Sequence, residues 1–315
     1  MPRWLRWFAM VLPFALWGTA MAAMKPLLVP LAPLELAWLR LMPAGLIILG
    51  AAALLKRPLG VDSRDRGWFF LFVLVDAALF QGFLAEGLQE VGAGIGSVLI
   101  DSQPLMVALL ARFALGELIN PVGWVGLLLG LGGIACLGVP AGVLQHWWLE
   151  GPPVLGAGLA QRGELLMLLA AASMAVGTLL CRWACRHSDP LAVTGWHLLL
   201  GGLPLMGLSL IGPLSDPLRR IPHLQLSEWG LMAYASLFGS ALAYGLFFLF
   251  ANQGDLTGFT SLTFLTPVFA LASGVFWLDE KLSLLQWFGV ALALVSVLLI
   301  NQRRTLWAAE LERAQ

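Results

Sequence analysis

Residues 97–117 read SVLIDSQPLMVALLARFALGE, and residues 260–280 read TSLTFLTPVFALASGVFWLDE. Laid over one another at an offset of 163, Pro104 meets Pro267, Phe113 meets Phe276, Leu115 meets Leu278 and Glu117 meets Glu280. The register extends outward without gaps. Upstream, Gly67 meets Gly230 and Gly82 meets Gly245, and downstream Trp124 meets Trp287 and Gly126 meets Gly289. At an offset of 157 the preceding stretch follows, with Pro33-Leu34 on Pro190-Leu191 and Gly45-Leu46 on Gly202-Leu203. Coincidence at rare residues such as Trp and Pro marks an internal duplication.

Both copies are too apolar for water. Of 315 residues, 59% are hydrophobic and 11% charged, against about 45–50% and about 25% in soluble domains, so too little charge exists to cover a water-facing surface. This excludes a soluble enzyme. Lys plus Arg (18) balance Asp plus Glu (18), which removes the basic field that holds a nucleic-acid backbone. The partners implied are membrane lipid and a small-molecule solute, with no nucleic acid. Cys136, Cys181 and Cys185 are odd in number and lie in apolar stretches, so they read as core residues and not as a disulfide framework. Cys181 and Cys185 share a helix face near His187, but a metal site needs about four converging ligands. No metal or other cofactor is expected.

A bilayer is crossed by roughly 20 mostly apolar residues. Ten such runs are expected, near 7–24, 34–55, 67–89, 91–114, 120–140, 163–185, 190–212, 227–252, 256–278 and 283–301. The fold class is therefore an all-α integral membrane protein with ten transmembrane helices in two five-helix repeats, 1–140 and 163–302. A connecting loop occupies 141–162, and a cytoplasmic tail 303–315. Arg3 and Arg6 before an apolar run ending at Ala20–Ala23 also fit a cleaved signal peptide, but Gly18-Thr19 is echoed by Gly177-Thr178, so the run is read as the first helix. With the N-terminus inside, Lys56, Arg57, Arg64, Arg66, Arg182, Arg186 and Arg303 fall on the cytoplasmic side. Lys25, Arg162, Arg219, Arg220 and Lys281 fall on the other. The positive-inside rule then places both termini in the cytoplasm, in a multi-pass protein of the cell (inner) membrane.

Five helices per repeat is an odd number, so the second copy runs through the membrane inverted relative to the first. Inverted repeats are the architecture of secondary transporters, whose halves exchange conformations around a central site.

Ionisable groups at mid-membrane cost about 2.5–3.5 kcal/mol each and mark function by default. Arg40, Asp76 and Asp101 are the candidates, with Arg40 expected to pair with either carboxylate. Asp101 shares a helix face with Ser97 and Pro104 by i, i+3, i+4 spacing. Its repeat partner is Phe264, and those of Ser97 and Asp76 are Thr260 and Gly239, so the acidic groups have no counterpart in the second half. Gln81 aligns with Tyr244, and His197 with Arg40. Gln103, Thr263 and Asn252 offer hydrogen bonds, and Trp17 an aromatic wall. The candidate solute-binding set is thus Trp17, Arg40, Asp76, Gln81, Ser97, Asp101, Gln103, His197, Tyr244, Thr260 and Thr263. Pro104 and Pro267 remove a backbone hydrogen bond in mid-helix and permit a kink. Glu117 and Glu280 are expected to be structural, capping the next helix or bonding loop amides. Gly126 and Gly130 form a Gly-x-x-x-Gly step, explained by packing within the monomer or by a homodimer contact.

Several of these motifs are familiar together. Leu16-Trp17-Gly18, Leu39-Arg40 and the two Pro-to-Glu blocks resemble the EamA-type transporters of the drug/metabolite transporter superfamily. One departure is Asp279, where the family usually has Gly before the Glu. Cyanobacterial and plastid members look most like this chain at Pro13–Met21, Gln81–Ala85 and Gly96–Pro104. The resemblance implies transport of small metabolites and makes Pro104 and Pro267 gates or bends beside a central cavity.

No His-Glu-x-x-His, Gly-x-Ser-x-Gly or nucleotide-binding Gly-x-x-x-x-Gly-Lys motif is present. Gly92–Gly96 lacks the spacing of a dinucleotide fingerprint. Two other classes stay open: a membrane-embedded enzyme using Asp76, Asp101 and His197, and a non-transporting scaffold or sensor.

Overall fold

The computed structural model describes residues 2–90, 99–138, 162–211, 220–278 and 283–313, and the regular structure among them is helical throughout. The rods are α1 (Arg3–Met24), α2 (Pro33–Leu54), α3 (Arg66–Glu90), α4 (Gln103–Leu115), α5 (Pro121–Gly138), α6 (Arg162–Ala184), α7 (Pro190–Ile211) and α8 (Leu226–Ala251). After them come α9, which runs from Leu256–Thr260 through a 3-10 stretch Ser261–Leu265 into Thr266–Leu278, and α10 (Leu284–Arg313). Among the described residues seven helices are long and apolar enough to cross a membrane, and α4 and α5 are shorter apolar helices. The chain is a multi-pass helical membrane protein. Its outward-facing side chains agree: Leu46, Phe70, Phe113, Leu203 and Leu298 are exposed, as lipid-facing residues are.

Local chemistry sets the helix starts. Pro33 and Pro121 open α2 and α5, where the missing N–H has no intrahelical partner to lose. Glu35 accepts from the Ala32 amide at 2.9 Å, Asn120 from the Gly123 amide at 2.9 Å and Asp255 from the Gly258 amide at 3.2 Å. Each satisfies a donor that the first turn leaves orphaned.

Two expectations are corrected here. The fourth run is not one continuous helix across Asp101: a turn at Asp101–Ser102 precedes α4, the Ser102 hydroxyl donates to the Leu99 carbonyl at 2.6 Å, and Pro104 lies in the first turn of the helix that follows. Pro104 thus begins a helix, a position that tolerates a missing N–H, and does not kink one in its middle. Pro267 stays inside α9, directly after its 3-10 stretch, where the helix changes its winding. The tenth run, expected near 283–301, is matched by the apolar stretch Leu284–Arg303; the helix itself continues to Arg313, in keeping with the strong helix formers Leu306, Ala308, Ala309, Glu310 and Leu311.

The halves meet along corresponding helices. A methyl group on Gly45 would touch Leu199, and one on Gly202 would touch Met42; a methyl on Gly126 would touch Ile300, and one on Gly289 would touch Leu137. Along α2 the contacts with α7 therefore run in opposite directions, as do those of α5 with α10. Shifting one member of each pair by its repeat offset reproduces the other. The Gly126, Gly130 and Gly133 step faces Ile300, Ser296 and Ala293 of the same chain. Burial follows the same plan: 67% of the apolar stretch of α9 is inside the protein against 22% of that of α10, so α9 belongs to the centre and α10 to the rim. Phe14, Leu41, Phe72, Val107, Leu179, Phe247, Phe248 and Leu262 fill the central core.

Two π-helical stretches interrupt α3 and α8, at Val73–Phe80 and Leu237–Leu242, in corresponding places at the offset of 163. A π-turn pushes its residues outward and recurs at functional sites. In α3 it presses Asp76 against Gly177 of α6 and Ala77 against Gly201 of α7.

Between helices, Asp65 ties the α2–α3 connection to the α6–α7 connection. Its carboxylate accepts from the His187 amide at 2.7 Å and the Ser188 hydroxyl at 2.8 Å, with His187 Nδ1 also at 2.8 Å. Burial alone would raise this carboxyl, but the His187 side chain, the Ser188 hydroxyl and the His187 amide together hold it below the ordinary carboxylate value. A carboxyl held low in the fold contributes stability above its unfolded value of about 3.9 and loses it as pH falls through the lower folded value. Asp65→Asn should therefore cost about 2–3 kcal/mol at neutral pH. In thermal unfolding, its deficit against wild type should shrink toward zero as the pH is lowered below about 3.9.

Candidate functional site

One group of buried polar residues lies on and beside the two π-turns and on the helices facing them. Arg40 of α2 is 5% exposed. Its Nη1 donates to Ser240 Oγ at 3.0 Å and its Nη2 to Gln81 Oε1 at 2.6 Å. The Gln81 amide then donates to the Tyr244 hydroxyl at 2.5 Å. Gln81 and Tyr244 are repeat equivalents, so this bond joins the two copies at corresponding positions. The Ser240 hydroxyl itself donates to the Ala235 carbonyl at 2.9 Å, five residues back along the π-turn.

On the other side of this group, His197 Nε2 lies 2.9 Å from Asp76 Oδ2. The approach is outside hydrogen-bond geometry, and both carboxylate oxygens and both ring nitrogens lack a hydrogen-bond partner. The contact is electrostatic. Phe72 stacks on the imidazole at 3.9 Å between centroids, and Phe248 meets it edge-on at 5.4 Å. Tyr244 lies 5.9 Å from Phe248 and 5.2 Å from Trp17, and Trp17 lies 5.0 Å from Phe247. An aromatic shell thus links the two polar groups and excludes water, which strengthens any electrostatic interaction within it.

Of the residues singled out from sequence, the fold gathers Trp17, Arg40, Asp76, Gln81, His197 and Tyr244. The expected pairing of Arg40 with Asp76 or Asp101 is not formed: Arg40 is held by neutral oxygens and Asp76 faces His197. Asp101 is buried at 6% exposure and has no hydrogen-bond or ion-pair partner among the described residues. Gln103 reaches Thr178 at 3.5 Å and leaves its Oε1 unpaired; Thr260 bonds the Leu256 carbonyl of its own helix; the Thr263 hydroxyl has no partner. Ser97 and Glu280 lie outside the described residues.

Glu117 belongs to a second cluster, at one end of the bundle. Gly116 takes a left-handed φ of 67° and its amide donates back to Ala111, ending α4 so that Glu117 turns away from the helix. The Glu117 carboxylate accepts from the Leu256 amide at 2.9 Å, the Thr257 amide at 3.2 Å and the Thr257 hydroxyl at 2.8 Å. It caps α9 of the other repeat and not the next helix, a role that Asn120 fills for α5. Arg182 bonds the Ala251 and Gly254 carbonyls at 2.8 and 2.7 Å, and Arg303 reaches Asp255 at 2.8 Å. Five helices are locked together there.

Sequence reading missed Ser240, Gly177, Arg182 and Asp255. Ser240 follows Gly239, the repeat partner of Asp76, and Gly177 lies in the echo of Gly18-Thr19, so the duplication held a signal for both.

Fold and site together define a class: a multi-pass helical membrane protein that buries a compact polar layer inside an aromatic shell. The chain belongs to the EamA-like transporter family, which matches residues 5–139 and 161–302. It is similar to the uncharacterized transporter sll0355 of Synechocystis sp., 51% identical over 300 residues that cover 94% of this chain and 90% of that protein. It is also similar to a chloroplastic WAT1-related protein of Arabidopsis thaliana, 46% identical over 305 residues, covering 94% of this chain and 69% of that one. These relatives bear out the cyanobacterial and plastid resemblance. A crystal structure with a TM-score of 0.75 at 19% identity, covering 98% of each chain, shares the fold.

Proposed function

We propose that the chain is a ten-span secondary transporter built from two inverted five-helix halves, 1–140 and 163–302. It carries a small polar or amphipathic solute, of amino-acid size, across the cell membrane by alternating access. Both termini face the cytoplasm, so the Glu117–Arg182–Asp255 cluster closes the cytoplasmic end. Transport is proton-coupled export, with the buried Asp76–His197 contact as the protonation site and Asp101 as the rival carboxylate.

The observation that carries this reading is the Gln81–Tyr244 hydrogen bond between equivalent positions of the two copies, flanked by Arg40 and by Asp76–His197. A site on the seam between halves is reached from either side when the halves rock. The opposed contacts of α2 with α7 and of α5 with α10 support the inversion, and the family's name supports transport.

Counterflow in proteoliposomes, with a panel of labelled amino acids and small organic acids, tests it. The expected result is accumulation of a chemically unchanged solute that depends on the protein. A chemically altered product would favour the membrane-enzyme reading, and no accumulation across the panel would overturn transport of this solute class.

A further inference from the structure

Two buried donors, Arg40 Nε and Trp17 Nε1, lack an acceptor, and both residues border Tyr244. Arg40 is buried, at 5% exposure. Its guanidinium meets neutral oxygens only, donating to Ser240 and Gln81 with the Tyr244 hydroxyl beside it, and its Nε has no acceptor. No carboxylate among the described residues stands within ion-pair distance of it. The nearest titratable group acting on it is the Tyr244 hydroxyl, a neutral donor or acceptor at ordinary pH. The acidic group of the same layer is engaged elsewhere, with Asp76 2.9 Å from His197. Next to Tyr244, at 5.2 Å between ring centroids, Trp17 carries a second buried donor, Nε1, that also has no acceptor.

A buried guanidinium is costly unless a counter-charge and hydrogen-bond acceptors meet it. A solute that supplies both would bind here, and the surroundings restrict its chemistry. One cation with one indole N–H suits a monoanion with two acceptor oxygens. Planar guanidinium and planar carboxylate match in geometry. The rings of Trp17, Tyr244 and Phe247 form an apolar wall suited to a flat or branched hydrophobic body beside the charge. We propose that Arg40, with Trp17 and Tyr244, is the recognition site for the carboxylate of an amphipathic monoacid. This deepens the transport reading and rests on it.

The test uses full-length protein in detergent and three probes that differ only in their head group: 3-phenylpropionate, 3-phenylpropanol and 3-phenylpropylamine. Titration calorimetry should show the acid binding saturably and at least about tenfold tighter than the alcohol or the amine, since a charge-assisted bidentate contact is roughly twice as strong as a neutral one. Arg40→Gln should remove that discrimination. Because loss of Arg40 also loosens Ser240 and Gln81, Trp17→Phe serves as the second variant. It keeps an aromatic ring at that position and removes the N–H, and should weaken the acid about three- to tenfold, more than it weakens the alcohol. Equal affinity for the three probes, no saturable binding of the acid, or unchanged acid binding in Trp17→Phe together with Arg40→Gln would each overturn the assignment. If the three probes bind alike while counterflow still accumulates a solute of the panel, the carboxylate assignment alone falls and transport stands.

Discussion

Gly177→Ala should fold poorly, and Asp76→Gly added to it should restore the fold. A methyl at position 177 overlaps Oδ1, Cβ and Cγ of Asp76, whose own backbone is fixed in the π-turn of α3. Asp76 has no room to retreat, because His197 stands 2.9 Å from the other carboxylate oxygen and Phe72 stacks on that imidazole. Overpacking of this kind costs about 1–3 kcal/mol and more where nothing can yield, so a loss near the upper end is expected. The duplication shows a related contact: at Gly239, the repeat partner of Asp76, a methyl would approach Ala20 Cβ to 2.5 Å, so an alanine packs on a glycine there. The double variant places an alanine opposite a glycine in the same manner. In thermal unfolding monitored by size-exclusion chromatography, the single variant should lose several degrees in Tm or become aggregated, and the double should regain most of it while remaining inactive. A single variant as stable as wild type, or a double no better than the single, would show that the Asp76 side chain is not what bars a methyl at position 177.

Asp76→Asn should produce a folded transporter that ignores a pH gradient. Asparagine is nearly isosteric, fits against Gly177 and keeps a polar contact with His197, so folding should be spared. What it removes is the ionisable carboxyl of the layer. The groups that face it are His197 from α7 and, within electrostatic reach, Cys181 from α6 and Tyr244 from α8. In proteoliposomes with an imposed pH gradient, gradient-driven flux should fall at least about tenfold, while exchange at equal pH persists; a tenfold loss corresponds to about 1.4 kcal/mol of coupling. Asp101→Asn is the comparison that separates the two carboxylates. If gradient-driven flux survives in Asp76→Asn and vanishes in Asp101→Asn, the coupling site is Asp101 and the Asp76–His197 contact is a packing feature.

Much was legible without coordinates. Composition alone determined a membrane protein, because 11% charge leaves too few groups to face water. The offset of 163, read from Pro104 and Pro267, Glu117 and Glu280, determined that the chain is a duplication, and Leu16-Trp17-Gly18 with Leu39-Arg40 indicated the family. Charges in apolar runs picked out Arg40 and Asp76 as buried. These signals are local, since burying a charge or opening a helix with proline has the same cost wherever the segment ends up.

Partnership was decided by the tertiary structure. Whether Arg40 meets Asp76 depends on how each helix is rotated about its axis, and a helix turns by roughly 100° per residue. The π-turns at Val73–Phe80 and Leu237–Leu242 insert a wider turn just where the polar residues lie, so a 3.6-residue periodicity loses phase through them. As a result Ser240, not a carboxylate, meets Arg40, and His197 meets Asp76. Glu117 reached an unforeseen partner for a related reason. Its bonds to Leu256 and Thr257 span 139 and 140 positions, a contact that depends on how the two copies dock and not on any pattern within either of them.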